Sequence, residues 1–236
     1  MRPEGKRVIA IMDLDLKTAS VRDLNQALHD MDETTTSEVT VLNPDGRHAL
    51  ACGIDAPIDV NIMGHAGYYC SGMNKQARVT IFGNVGVGVA ENMMSGTIWV
   101  KGNASQSAGA TAHGGILVIE GDAAARCGIS LKGADIVVKG SIGHMSAFMA
   151  QAGRIVVCGD AGADLGDSLY EARVYVKGKV ASLGADCVAK EMRDEHLAEL
   201  KDLLEAADAD EDPAAFTRYG SARELYHFKI DKSSAY

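Results

Sequence analysis

A glycine that returns every nineteen residues constrains this chain more than any other feature. Short β-branched runs end on it: DVNIMG closes at Gly64, and VTIFG, IWVKG, LVIEG, IVVKG, IVVCG and VYVKG close at Gly83, Gly102, Gly121, Gly140, Gly159 and Gly178. Six successive intervals pass without an insertion. A fixed period of this length marks a repeat architecture, in which one unit cannot bury its own apolar face and stacks on the next.

The columns of this register define the unit. Val79/Ile81, Ile98/Val100, Leu117/Ile119, Ile136/Val138, Ile155/Val157 and Val174/Val176 form an unbroken apolar pair two residues apart, the pattern of a strand with one face in a core. Three positions after each closing glycine stand Gly67, Gly86, Ser105, Ala124, Gly143, Gly162 and Ala181. Seven positions after stand Ser71, Ala90, Gly109, Gly128, Ala147, Gly166 and Ala185. Only small residues fill these columns, so they read as corners where the backbone turns and coils approach closely. The connecting pieces, such as NASQSAGATAHGG, lack helical apolar periodicity, which argues against a βαβ fold. Regular hairpin turns of a propeller or sandwich are missing, and nineteen is not a multiple of the six residues of a left-handed hexapeptide solenoid. The expected fold is therefore mainly β: a single-stranded right-handed β-helix of about seven coils, roughly 30 Å tall at ~4.8 Å between strands.

The repeat divides the chain of 236 residues into three parts: an N-terminal arm and capping helix (1–38), the β-helix (39–186), and a C-terminal helix, acidic linker and aromatic docking tail (187–236). In the first part, the apolar run Val8 to Met12 precedes acidic DLD, as a strand or extended arm. Ser20 with Asp23 resembles a capping box, and Val21, Leu24, Leu28 and Met31 then follow at helical spacing. VTVLNPD reads as an irregular first coil, with Asp45 nineteen residues before Gly64. After the repeats, Val188, Met192, His196, Leu200, Leu203, Leu204 and Ala207 predict a helix over 187–207 that packs on the solenoid. DADEDP reads as a solvated linker, and five of the twelve aromatics, Phe216, Tyr219, Tyr226, Phe228 and Tyr236, lie in the last 24 residues. The middle strand residues Thr80, Trp99, Val118, Val137, Val156 and Tyr175 face outward, a row that either the chain's own helix or another protein covers.

A formal charge of −9 and pI near 5.2, with no basic stripe, argue against nucleic acid or an anionic membrane as a partner. MRPEGKRVIAIMDLDL carries acids where a signal peptide is apolar, so the expected location is cytoplasmic. Cys52, Cys70, Cys127, Cys158 and Cys187 form no CxxC, and His65, His113 and His144 occupy different columns without metal spacing. Glu91, Asp122, Asp160, Asp164 and Asp167 are scattered; the nearest approach to a cluster is Asp164 and Asp167 with Asp186, one coil beyond Asp167. Gly83-x-x-Gly86-x-Gly88 has the outline of a dinucleotide loop but returns to strand too soon. No catalytic, cofactor-binding or metal-ligating residue is assigned. Met73, Met93, Met94 and Met149 in adjacent columns read as core filling or as a soft contact surface.

The glycine-cornered repeat, as in Gly159-Asp-Ala-Gly162-Ala-Asp-Leu-Gly166, is similar over residues 39–190 to the GXGXG domain that ends the glutamate synthase large subunit. DLKTASVRDLNQALH resembles the segment that precedes the domain in stand-alone versions, among them the small β-helix subunit of N-methylglutamate synthase (methylamine-glutamate N-methyltransferase). The resemblance implies a right-handed β-helix and a hetero-oligomer with two partners. One is a glutaminase-like subunit of the class II amidotransferase type; the other is a synthase-like subunit bearing FMN and an iron–sulfur cluster. The implied reaction exchanges methylamine for ammonia on L-glutamate. No catalytic residue transfers, since no cysteine precedes Cys52 and the flavin and cluster ligands belong to the partner. The β-helix subunit of formylmethanofuran dehydrogenase and a self-assembling bactofilin-like protein are the alternatives.

Overall fold

The computed structural model describes residues 11–32 and 38–223. The chain runs β1 (Ile11–Asp15), α1 (Val21–His29), β2 (Glu38–Leu42), β3 (Asp59–Ile62), β4 (Arg78–Ile81), β5 (Thr97–Val100), β6 (Ile116–Ile119), β7 (Lys132–Val138), β8 (Ala152–Val157), β9 (Arg173–Val176), β10 (Cys187–Lys190), α2 (Asp194–Ala206) and β11 (Thr217–Ser221). All eleven strands join one sheet, in chain order up to β9 and then β11 before β10. The solenoid is the right-handed β-helix expected. Over their core residues the parallel strands stack in register, so Val79, Ile98, Leu117, Ile136, Ile155 and Val174 line up across β4 to β9, and the one shift falls between Lys132 and Asp135 at the start of β7. Each of these, and each partner two residues on, is buried. The first coil departs from the expected register: Val41 pairs with Ile62, a coil two residues longer than those that follow.

The walls opposite the strands are built differently. A column of single parallel bridges links Ala66, Val85, Ala104, Ala123, Ile142, Ala161 and Val180, two residues past each closing glycine. Beyond it the chain bends through an arc in which every second residue is left-handed, for example Ser107, Gly109 and Thr111, at φ 60°, 67° and 54°. A non-glycine residue there costs about 1 kcal/mol or more. The arc tolerates this because alternate amides bond to neighbouring coils on either side: Ser107 N donates to Ala125 O (3.0 Å) above, and Gly109 N to Val89 O (2.8 Å) below. The small residues seven positions past the glycine occupy the centre of this arc, which accounts for one of the two predicted corner columns.

The closing glycines have a separate cause, which is space. The residue after each one sends a side-chain acceptor to the backbone N–H of its counterpart in the next coil. His65 Nδ1 accepts from Asn84 N, Asn84 Oδ1 from Asn103 N, Asn103 Oδ1 from Asp122 N and Asp122 Oδ1 from Ser141 N. Ser141 Oγ then accepts from Asp160 N, and Asp160 Oδ1 from Lys179 N, all six bonds between 2.7 and 3.0 Å. Those acceptor atoms lie where a Cβ on the glycine above would sit: 2.4 Å from it at Gly102, 2.0 Å at Gly121, 2.2 Å at Gly140 and 2.3 Å at Gly178. At Gly121 the ladder acceptor is the main obstacle to a Cβ, whereas at Gly83, Gly102, Gly140, Gly159 and Gly178 the backbone of the preceding closing glycine crowds the same space at 2.4–2.8 Å.

The outward row is covered from within the chain. Val118, Val137, Val156 and Tyr175 pack against Leu200, Leu203 and Leu204 of α2, against Ala207 at its C-cap and against Phe216, with Trp99 and Met192 at the margin. Each buried leucine contributes roughly 1.5–3 kcal/mol. Tyr175 donates its hydroxyl to Glu199, which also pairs with Arg173. The expected helix over 187–207 is corrected in its first third: Cys187–Lys190 is β10, antiparallel to β11, and α2 begins at Asp194. Val188 matches helical spacing but is drawn into the sheet by a partner strand that lies beyond the helix. The linker is structured too, since Glu211 pairs with Lys177 and Asp212 caps a short turn at Pro213–Ala215. The aromatic tail divides: Phe216 is buried and Tyr219 packs in β11, while Tyr226, Phe228 and Tyr236 lie outside the described residues.

At the N-terminal end, β1 adds to β2 in parallel. The capping box expected at Ser20 and Asp23 is present, and α1 buries Leu24 and Leu28 in the main core.

Candidate functional site

The five thiols are all held in the protonated form. Burial pushes Cys70 and Cys127 up to about 12 and Cys158 and Cys187 up to about 11, and it raises Cys52 as well. None is a thiolate at neutral pH, and all five are free. The histidines of the repeat do not converge on a metal: His65 is a rung of the ladder, and among the described residues no group of three His, Cys, Asp or Glu side chains could hold an ion.

The carboxylates prove to be structural. Asp122 and Asp160 are ladder rungs, which the sequence had presented as scattered acids. Asp164 accepts from Ser182 Oγ and Asp167 from Ser168 Oγ, while Asp186 accepts from Ser221 Oγ (2.6 Å). Asp186 is not the counterpart of Asp167, because the last coil is one residue short and Ala185 N donates to Asp167 instead. The signal for the ladder was in the sequence: the column after each glycine reads His, Asn, Asn, Asp, Ser, Asp, all short acceptors, before Lys179 ends it.

Two surface features remain. The first is apolar. Tyr68, Tyr69, Met73 and Met94 stand on the arc at 49, 51, 56 and 45 % exposure, and Met63 and Phe82 stand on successive coils at the strand ends. Tyr68 is held upright by stacking on His48, ring centroids 4.5 Å apart. Neither helix reaches these residues: α1 bonds to the backbone of Ala49 and Cys52, and α2 lies on the strand face. Of the four methionines singled out, Met93 is core, Met149 is half-buried, and Met73 and Met94 are outside.

The second is a cleft of about 320 Å³ at the C-terminal end, between the last coil, the start of α2 and β11. Arg173, Lys190, Arg193, Arg218 and Arg223 line it beside His196, a basic concentration in a chain of net charge −9. His196 is 6 % exposed, and burial, then the Arg218 charge, holds it below the ordinary histidine value. Sequence reasoning missed this cleft because its cations come from segments up to fifty residues apart. Among the described residues no helix is long and apolar enough to cross a membrane.

No protein-family model matches the chain, and no solved structure does. Among curated proteins it is similar to Protein GlxC of Rhizobium meliloti (strain 1021), with 58 % identity over 225 residues, covering 94 % of this chain and 99 % of that protein. Near-complete coverage of both chains means that the similarity extends beyond the repeat alone. This chain belongs to the GlxC family.

Proposed function

We propose that this chain is the non-catalytic β-helix subunit of a glutamate-synthase-like complex, in its finer form N-methylglutamate synthase. It orients a glutaminase-like subunit and an FMN- and iron–sulfur-bearing synthase-like subunit, in the cytoplasm, and the chemistry resides on those partners. The resemblance of the nineteen-residue repeat to the GXGXG domain supports the assignment. So does membership of the GlxC family, with 99 % of that relative covered.

The carrying observation is the exposed arc. Among the described residues Tyr68, Tyr69, Met73 and Met94 are exposed, whereas the other large apolar row is covered by the chain's own helix. Apolar side chains gathered on one face of a rigid scaffold fit a contact surface for another protein. The apolar strand row, which sequence reasoning offered as the docking face, is occupied by α2 and drops out of that role.

Co-expression with the two partner subunits tests the assignment. The expected result is a ternary complex with flavin absorbance that makes N-methyl-L-glutamate from L-glutamate and methylamine, and that loses this chain when Tyr69 and Met73 are both changed to serine. A chain that elutes alone, with the partners fully active without it, defeats the proposal.

A further inference from the structure

The basic cleft stands apart from the docking arc and carries its own chemistry. Of its five cations, Arg173 is paired with Glu199, Arg193 with Glu191 and Glu195, and Arg223 with Glu171. Arg218 and Lys190 form no ion pair among the described residues. Arg218 instead spends Nε and Nη2 on the carbonyl of Glu191, at 3.0 and 2.8 Å, which pins its guanidinium in place and leaves Nη1 unengaged. The stem of Lys190 lies against Gly220 of the neighbouring strand, where a Cβ would touch its Cγ at 3.5 Å. Both cations are thus set by antiparallel β10 and β11, the most rigidly paired part of this end.

His196 supplies the third donor. Its Nδ1 accepts from Arg193 N at 3.2 Å, so in the neutral ring the proton sits on Nε2. The nearest acidic oxygen to Nε2, on Glu195, is 3.7 Å away, beyond hydrogen-bond reach. A side chain 6 % exposed therefore brings an unspent N–H to the wall of the cleft. The first turn of α2, with Arg193 as its N-cap, opens on the same space and adds the positive end of a helix dipole.

We propose that this cleft binds a small oxyanion carrying at least two negative charges, a di- or tricarboxylate or a phosphate, held by Arg218, Lys190 and the Nε2–H of His196. Guanidinium and ammonium donors fixed before binding suit a carboxylate or phosphate group, whose oxygens accept in pairs. The volume of about 320 Å³ is ample for such an ion. An extended acidic peptide fits less well, because Ala172 is the one aliphatic residue in the lining and no apolar shelf would hold its side chains. The proposal stands independently of the scaffold assignment.

Isothermal titration of the full chain with citrate, succinate and inorganic phosphate, at ionic strength fixed with sodium chloride, is the test. The expectation is saturable one-to-one binding of at least one of the three, weakened about tenfold or more by Lys190→Gln and by Arg218→Gln. Lys75→Gln, at a distant exposed pair with Asp55, should leave it unchanged. Because Arg218→Gln can also loosen β11, the amide shifts of Gly220 and Ser221 during a wild-type phosphate titration provide a second readout, and they should move together with the binding isotherm. No saturable binding up to about 10 mM, equal affinity in Lys190→Gln and wild type, or a cleft filled only by an acidic segment of a partner protein would each overturn the proposal.

Discussion

Alanine at Gly121 separates a glycine needed for space from one needed for backbone conformation. A Cβ at this position would fall 2.0 Å from Asn103 Oδ1 and 3.0 Å from Gly102 O. Contact with the carbonyl is tight but yields to a shift of a few tenths of an ångström; contact with the amide oxygen does not. Asn103 must therefore abandon its bond to Asp122 N (2.8 Å), losing about 0.5–1.5 kcal/mol, and leave its rotamer, costing about 0.5–1.5 kcal/mol more. The smaller unfolded-state entropy of alanine returns about 0.4–1 kcal/mol. Gly121→Ala should then destabilise by about 1.3 kcal/mol, within a span of roughly 0–2.6 kcal/mol. Asn103→Ala alone should cost only about 0.5–1 kcal/mol, because Asp122 is exposed and water can reach its amide.

The decisive quantity is the coupling between them. With Asn103 already cut back, the methyl at 121 enters space that is empty, so the double variant should be no worse than Gly121→Ala, with a favourable coupling of about 1 kcal/mol. Gly178 provides the control. There the Cβ would lie 2.4 Å from Gly159 O, a backbone atom, so Asp160→Ala should not rescue Gly178→Ala. Urea unfolding followed by circular dichroism measures all six variants. Additive effects at Gly121/Asn103, or equal rescue at both sites, would refute the claim that the ladder demands the glycine at 121 and the backbone demands it at 178.

Two further expectations concern α2. Leu200 is fully buried against the strand row, so Leu200→Ala should cost about 2–5 kcal/mol and speed alkylation of half-buried Cys158 beneath the helix, read by mass spectrometry; a loss under about 1 kcal/mol would mean the helix is only lightly seated. His196 is held below its ordinary value of 6.5 by burial and by Arg218, so on acidification the unfolded chain takes up a proton before the folded one does. Its share of stability is present above 6.5 and is lost as pH falls from there toward the lower folded value. His196→Asn, which keeps an acceptor for Arg193 N, should flatten the stability curve in that window relative to wild type; parallel curves would sink the assignment.

What could be read from the sequence follows from where each constraint acts. The inward pairs such as Val79/Ile81 and the corner residues such as Ala147 answer to neighbours one coil away, and a fixed period places those neighbours at a fixed sequence distance. The ladder was equally periodic, yet His65, Asn103, Asp122 and Ser141 share only the ability to accept a hydrogen bond, and sorting residues by charge hid it. Val188 was read as helical because its partner, Gly220, lies beyond α2 and local spacing cannot report it. The row from Val118 to Tyr175 was visible as a patch, but its occupant depended on how α2 folds back across it. The cleft was least legible, since Arg173, Lys190, Arg193, Arg218 and Arg223 meet only in three dimensions, within an acidic chain.

How the two ends are built decides where other chains can attach. A solenoid that polymerises end to end needs both ends open, with strands that continue in the same direction and register. Here β11 lies antiparallel between β9 and β10, so the run of parallel coils is interrupted before the outermost strand, β10, which again points in the direction of β9. At the other end Leu24 and Leu28 of α1 fill the mouth of the core, and Asn25 bonds both to Ala49 O (2.8 Å) and to Cys52 N (3.3 Å), satisfying backbone that a stacking coil would need. Each closure uses a secondary structure that the repeat does not contain. The repeat is thus interrupted at its C-terminal end and its core is capped at the other, and neither end offers a plain copy of the repeating coil. Among the described residues the strand face is taken by α2, while Tyr68, Tyr69, Met73 and Met94 are exposed on the arc and the basic cleft opens at the C-terminal end. Ends that depart from the repeat, with one flank bare, fit the proposed subunit role better than a unit that extends by stacking.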